Sequence, residues 1–398
     1  MQLQNRFFQG LFIFLFFYFF SFPITVEAQR VLTTSQLLGQ LNTITTAVPF
    51  LLIAPDSRGG AMGDVGVATP ADANSMHWNP SKYAFVKKKT GISISYIPWL
   101  RALVPDINLA HLSGYYKVNK QGTVAASLRY FSLGDITFTN ITGETTGQFR
   151  PNEFAFDVGY GQKLSDHFSG GGAIRYIYSN LTGGRAVEGS QTHSGNSVAG
   201  DISGYYQGDE IDLGGKKSIL RFGVNISNIG AKISYSDRGQ KDFIPTNLKI
   251  GSSLHMQLDE YNEVLFTADV NKLLVPSPNP QDSLATWKTK SIITGMVGSF
   301  SDAPGGAKEE FREYNVGGGL EYWYAKQFCF RAGYFNEAAT KGGRKFITVG
   351  LGVKYTVFGL DFAYLIPTSQ RNPLQNTLRF SLLFDMDAFK ENSDTTPQ

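Results

Sequence analysis

The feature that most constrains this chain is an alternation of apolar and polar residues with period two. It begins near Gly91 and persists almost to the C-terminus. In one stretch Ile347, Val349, Leu351, Val353, Tyr355 and Val357 form one face, with Thr348, Gly350, Gly352, Lys354 and Thr356 opposite. The same pattern sets Leu220, Phe222, Val224 and Ile226 against Arg221, Gly223, Asn225 and Ser227, and Leu378, Phe380, Leu382 and Phe384 against Thr377, Arg379 and Ser381. Period two is the signature of strands with two unlike faces. A soluble sandwich would turn the apolar face inward, and a membrane barrel would turn it out to lipid. Three features favour the barrel. The segments run to about ten residues, longer than usual sandwich strands. The alternation leaves no separate core segment. Aromatic residues cluster at segment ends, at Trp99, at Tyr115 and Tyr116, and at Tyr322, Trp323 and Tyr324, as in an interfacial girdle.

Fifteen segments qualify as strands: 91–97, 107–118, 121–132, 152–163, 168–179, 198–207, 218–227, 246–258, 261–271, 290–299, 313–325, 327–336, 344–356, 358–366 and 376–384. Bacterial single-chain barrels have an even number, with short periplasmic turns. The tight turns at 259–262 and 325–326 both belong on the periplasmic side, which leaves room for only two strands between them. Segment 290–299 alternates poorly and is therefore excluded. The expectation is an all-β fold, a fourteen-stranded antiparallel transmembrane β-barrel over 91–384. Its outer loops are 98–106, 133–151, 180–197, 228–245, 337–343, 367–375 and the largest, 272–312. Residues 208–217 would be one longer periplasmic turn and 385–398 a periplasmic C-terminal tail.

The N-terminus supplies the address. Arg6 precedes an apolar run from Leu11 to Phe22, and Val26, Glu27 and Ala28 offer a small-residue cleavage site, the pattern of a Sec signal peptide over 1–28. Gln29 follows, so a lipoprotein is not expected. With a single cysteine, Cys329, an intrachain disulfide is impossible. A net charge of +3 points to no nucleic-acid partner. His77, His111, His167, His193 and His255 are scattered without metal-ligand spacing, and no nucleophile elbow or phosphate loop occurs. No catalytic residue, metal or cofactor is expected.

Between the signal peptide and the first strand, residues 29–90 have no period. Their core, from Ser57 to Phe85, is rich in Gly, Ala, Asp and Asn yet specified, with Arg58, Met62, Asp64, Asp72, Asn74, Trp78 and an Asn79-Pro80 turn. Small residues would let it pack inside a lumen as a plug entering from the periplasm, and its polar groups would seek partners there. On the barrel reading Arg129, Asp157, Arg175, Arg221, Asp269, Glu321, Arg331, Lys354, Asp361 and Arg379 line that lumen. A fourteen-strand lumen lies between filled and water-filled sizes, so it needs a plug if it is not to leak. Loop 272–312 places Leu273, Leu274, Val275 and Pro276 near its start and Phe300, Asp302, Pro304 and Phe311 near its end. Long ordered loops are usually functional, and exposed apolar residues there suggest a partner surface.

Several stretches resemble the PorV family, an outer-membrane component of the type IX secretion system of Bacteroidota and a branch of the FadL-like barrels. They are "TAVPFLLIAPDSRGGAMGDVGVATPADANSMHWNPSKYAF" (46–85), "DVNKLLVPSPNP" (269–280), "SFSDAPGGAKEEF" (299–311), "GGGLEYWYAKQFCFRAGYFNE" (317–337), and "LDFAYLIP" followed by "NTLRFSLLF" (360–384). The resemblance implies a non-enzymatic fourteen-stranded barrel with an N-terminal plug. It implies a seat in the lipid bilayer with its lipopolysaccharide, and association with the type IX translocon barrel. It implies capture of the C-terminal signal domains of secreted cargo proteins and their transfer to the cell-surface attachment complex. The alternative is a FadL-type transporter of hydrophobic small molecules.

Overall fold

The computed structural model describes residues 41–101, 103–139, 142–185, 191–237, 239–368 and 372–385. The signal peptide expected over 1–28, residues 29–40 of the N-terminal segment and the tail expected after 385 lie outside the described residues. In chain order the strands are β1 Thr90–Pro98, β2 Ile107–Lys117, β3 Gly122–Leu133, β4 Ile136–Thr139, β5 Thr145–Phe149, β6 Asn152–Lys163, β7 Phe168–Asn180, β8 Gly195–Asp212, β9 Lys217–Gly230, β10 Asn247–Gln257, β11 Asn262–Leu273, β12 Tyr314–Tyr324, β13 Phe328–Asn336, β14 Lys345–Tyr355, β15 Phe358–Pro367 and β16 Leu378–Asp385. All but β4 and β5 form one closed antiparallel barrel of fourteen strands; β4 and β5 pair as a separate hairpin in the loop after β3. The barrel closes where Gly91–Tyr96 of β1 pairs with Asp385–Phe380 of β16.

The excluded segment is helical: Ile292–Gly298 forms a short helix whose N-cap, Ser291, accepts a hydrogen bond from the Thr294 N–H at 3.2 Å. The turn expected over 208–217 is shorter. Strand β8 continues to Asp212, because a register shift between Gln207 and Glu210 lets it stay paired with β9. Tight connections collect at one end of the barrel and long ones at the other. Short turns face the periplasm in such barrels, so the outer end is the one where β3, β7, β9, β11 and β13 finish and β6, β8, β10, β12 and β14 begin.

Alternation runs inverted relative to a soluble protein. Ile94, Leu112, Leu128, Phe156, Val158, Ile174, Val198, Ile202, Ile250, Leu351 and Leu360 are exposed, whereas Ser95, His111, Ser127, Asp157, Arg175, Thr267, Glu321, Thr348 and Ser381 are buried. The pleat puts successive residues on opposite faces, so Ile174 meets lipid while the adjacent Arg175 faces the interior. Ile174→Lys should therefore cost about 2–4 kcal/mol of membrane stability. Urea titration in liposomes reads that cost; an unshifted midpoint would contradict the assignment of the faces.

Candidate functional site: the occupied lumen and the outer loop cluster

The chain from Asn42 to Val86 runs through the barrel from the outer mouth to the inner end. At the top, Asn42 N–H donates to the Thr340 carbonyl at 3.0 Å and Ala47 N–H to the Phe243 carbonyl at 2.9 Å, both acceptors lying in outer loops. At the bottom, Lys117 Nζ donates to the Val86 carbonyl at 2.9 Å, beside the start of β1. This corrects the expectation of periplasmic entry. Because β1 starts at the inner end, a segment long enough to cross the lumen before it must begin at the other mouth.

Local chemistry shapes the segment. Asp56 caps the helix Ser57–Ala61, accepting from Gly59 N–H at 2.8 Å, and its other oxygen accepts from Trp78 Nε1 at 2.7 Å. Asn79 Oδ1 accepts from Ser81 N–H and opens the 3-10 helix Pro80–Phe85, with Pro80 at its first position, where a missing N–H costs nothing. Gly63, at φ +80°, turns the chain against the Tyr334 backbone.

The wall is built to receive this backbone. Inward-facing positions of several strands are glycine, and a Cβ there would strike the segment. A Cβ on Gly333 would lie 2.1 Å from the Met62 carbonyl carbon, one on Gly319 2.4 Å from Met62 Cβ, one on Gly223 2.1 Å from the Val67 oxygen, and one on Gly171 2.6 Å from Ser81 N. Polar wall residues supply the segment's backbone partners. Asp269 accepts from Gly66 and Val67 N–H at 2.7 and 3.0 Å, and Thr348 accepts from Gly63 N–H while donating to the Ala61 carbonyl. Ser253, Asn225, Ser169 and Ser113 donate to the carbonyls of Ala68, Trp78, Ser81 and Ala73. Buried backbone groups that lack water must be paired, and here the barrel's polar face pairs them.

Charges in the interior form chains. Arg58 reaches Glu321 at 2.8 Å and Asp72 at 2.9 Å; Glu321 also holds Arg331 at 2.7 Å, and Arg331 holds Asp361 at 2.7 Å. Arg175 bridges Asp157 and Asp201. Arg379 pairs with Asp64 at 2.7 Å. Of the polar segment residues, then, Asp64 and Arg58 pair with the wall by charge. Asn74 accepts from Ser113 Oγ, and Asn79 Nδ2 donates to the Val67 and Gly204 carbonyls. Arg129 donates to the Leu51 carbonyl and Arg221 to Gln207 Oε1. Lys354 departs from the expected lining: its parity is inward, but it lies at the end of β14 by the inner turn, exposed and outside the packed lumen.

At the outer mouth, loop 274–313 is locked at its base. Lys272 Nζ pairs with Glu310 at 2.6 Å and Glu313 at 2.8 Å, while Lys341 from the loop after β13 pairs with Glu309 at 2.6 Å and Glu313 at 2.9 Å. Asn42 Nδ2 joins this network through Glu309 Oε1 and the Pro278 carbonyl. Burial alone would raise the Glu309 carboxyl, but Lys341, Asn42 and the Gly305 N–H hold it below the usual carboxylate range. Leu274, Val275 and Pro276, expected on a partner surface, are buried, and Leu273 is half-buried at the end of β11. They anchor the loop, since an apolar run leaving a strand buries itself beneath the chain that covers it. Pro304 is exposed and Asp302 half-buried, binding Ser277 N–H and Lys290. Among the apolar groups of this loop that face solvent are Phe300, Phe311 and Leu284, and Ile293 and Val297 on the helix Ile292–Gly298.

Sequence reasoning passed over the glycine seats, the Lys272–Glu313–Lys341 lock and the buried pair His77 and Lys249. Some seats were detectable: Gly159 with Gly161 and Gly317 with Gly319 recur at i, i+2 on the polar parity, and Gly350 shares that parity on β14. The lock joins residues distant in sequence and carries no local signal.

Comparison with solved structures finds the Pseudomonas putida toluene transporter TodX (10% identity, 86% of this chain and 98% of that chain, TM-score 0.45). It also finds the Ralstonia pickettii toluene transporter TbuX (12%, 84% and 98%, TM-score 0.46) and a Pseudomonas aeruginosa FadL homologue (10%, 87% and 99%, TM-score 0.42). No curated protein sequence matches the chain. The family model described as type IX secretion system protein PorV matches residues 36–280, more than half of the sequence. With a closed fourteen-strand barrel whose apolar face turns outward, this chain belongs to the PorV family of the type IX secretion system.

Proposed function

We propose that this outer-membrane barrel is a non-enzymatic escort of type IX secretion. It docks on the translocon barrel, receives the C-terminal signal domain of exported cargo and delivers it to the cell-surface attachment complex. A Sec signal peptide would bring the chain to the outer membrane. Family membership supports the pathway, and one observation carries the local reading: loop 274–313 is locked at its base and presents Ile293, Val297, Phe300 and Phe311 to solvent. A rigid apolar surface at the outer mouth loses little entropy on docking. Residues 57–86 act as the plug in this scheme, closing the lumen so that the protein works through its outer surface.

The triple variant Ile293→Asp, Val297→Asp, Phe311→Asp should keep the heat-modifiable mobility of a folded barrel. Burying each such side chain is worth about 1.5–3 kcal/mol, so capture of translocon and cargo from native membranes should fall at least about tenfold, ~1.4 kcal/mol being one decade. Undiminished capture by the folded variant would remove this surface from the mechanism.

A further inference from the structure

Beneath the outer mouth lies a cavity of about 50 Å³ whose lining includes Leu52, His77, Trp78, Lys249, Leu273 and Phe335. Its floor holds an unusual contact. His77 Nδ1 lies 2.8 Å from Arg129 Nη2, and His77 Nε2 lies 3.5 Å from Lys249 Nζ. A guanidinium has donors only, so at 2.8 Å Nδ1 must be the acceptor. In the neutral ring Nε2 then carries the proton. The ammonium of Lys249 is also donor-only, so Nε2 and Nζ face each other as two donors with no acceptor between them.

Among the described residues no acceptor lies within hydrogen-bond reach of either group, although the carboxylates of Asp269 and Asp64 attract the ammonium from beyond ion-pair distance. Lys249 is buried, lies 4.6 Å over the Trp78 ring and makes no ion pair among the described residues. The other charges on the cavity are engaged: Asp64 by Arg379 at 2.7 Å, and Arg344 by Glu337 at 2.9 Å. Asn271 pairs across the strands with both Lys249 and Asn315, and its buried Oδ1 has no partner either. A buried ammonium with unmet donors is costly.

We infer that this cavity is an oxyanion site for a carboxylate borne on a short apolar group. One oxygen would bridge Lys249 Nζ and His77 Nε2, with the apolar part against Leu52, Leu273 and Phe335. A water needs roughly 10–15 Å³ of such space, so the cavity itself holds a carboxylate and its first few carbons, and the rest of a longer acid must extend beyond it. The same chemistry is offered by a free short-chain acid or by the C-terminal carboxylate of a polypeptide. The site stands independently of the loop surface proposed above.

The test is calorimetric titration of the full-length protein in non-ionic detergent with butyrate, with N-acetyl-alanyl-leucine, and with the same dipeptide as its amide. At least one acid should bind, and the amide should bind at least about tenfold more weakly, because it lacks the charge that strengthens the hydrogen bonds. Lys249→Gln should weaken the acid about tenfold or more, and Lys249→Arg should largely restore it. Binding of both acids means that a free acid suffices; binding of the dipeptide alone assigns the site to polypeptide ends. Asn271→Leu, which leaves the wall charge intact, should weaken binding less and serves if Lys249→Gln fails to fold. Equal binding of acid and amide, no binding of either acid, or undiminished binding by folded Lys249→Gln would overturn the site.

Discussion

Valine at Gly333 together with isoleucine at Gly319 should expel residues 57–70 from the lumen while leaving the barrel closed. The wall Cβ atoms would fall 2.1 Å from the Met62 carbonyl carbon and 2.4 Å from Met62 Cβ. Backbone on both sides leaves no rotamer by which the clash can relax. Overpacking a fitted core ordinarily costs about 1–3 kcal/mol per site, and two adjacent sites against one turn should exceed what holds that turn. The ladder between β12 and β13 is untouched, since both residues remain extended strand. Heat-modifiable mobility should persist, Arg58 should become a site of tryptic cleavage, and liposomes carrying the variant should swell in small sugars as wild-type liposomes do not. A variant that stays trypsin-resistant and sealed would show that the glycines do not seat the segment.

Removing the carboxylate of Glu321 should have the next largest effect. Glu321 is buried between Arg58 of the lumenal segment and Arg331 of the wall, at 2.8 and 2.7 Å. Breaking a buried pair by deleting one partner typically costs about 3–5 kcal/mol, because the other charge is stranded. Asp72 and Asp361 still hold one arginine each, which places the expected loss for Glu321→Ala near the lower end, about 3 kcal/mol. It should appear first as release of the segment, read by hydrogen exchange of the amides of Arg58 to Ala61 at urea concentrations that leave the barrel folded. Glu321→Gln keeps the shape and should lose less. Exchange unchanged in Glu321→Ala would mean that the charge chain does not hold the segment.

What the sequence disclosed followed from which signals are periodic. Strands β1 to β3 and β6 to β16 were readable because lipid and lumen demand opposite chemistry at successive residues, as at Ile174 and Arg175. Turn lengths then set the even count and excluded 290–299, whose residues form the helix Ile292–Gly298. Direction was invisible for the aperiodic segment: nothing in Ser57–Phe85 says that Asn42 begins at the outer mouth. Depth was equally invisible for Lys354, where parity gave the face but not that the strand had left the packed interior. Leu274 and Val275 misled because an apolar residue in a loop looks the same whether it anchors the loop or greets a partner; Thr246, whose carbonyl accepts from Leu274 N–H at 2.8 Å, is distant in sequence.

We propose that this chain serves protein secretion through its outer surface. The most direct test is purification of the tagged full-length protein from native outer membranes in mild detergent, with everything that co-elutes identified by mass spectrometry. A translocon barrel should co-elute together with exported proteins carrying C-terminal signal domains, both depleted in the Ile293→Asp, Val297→Asp, Phe311→Asp variant. Recovery of the barrel with hydrophobic small molecules and neither of those proteins would contradict it.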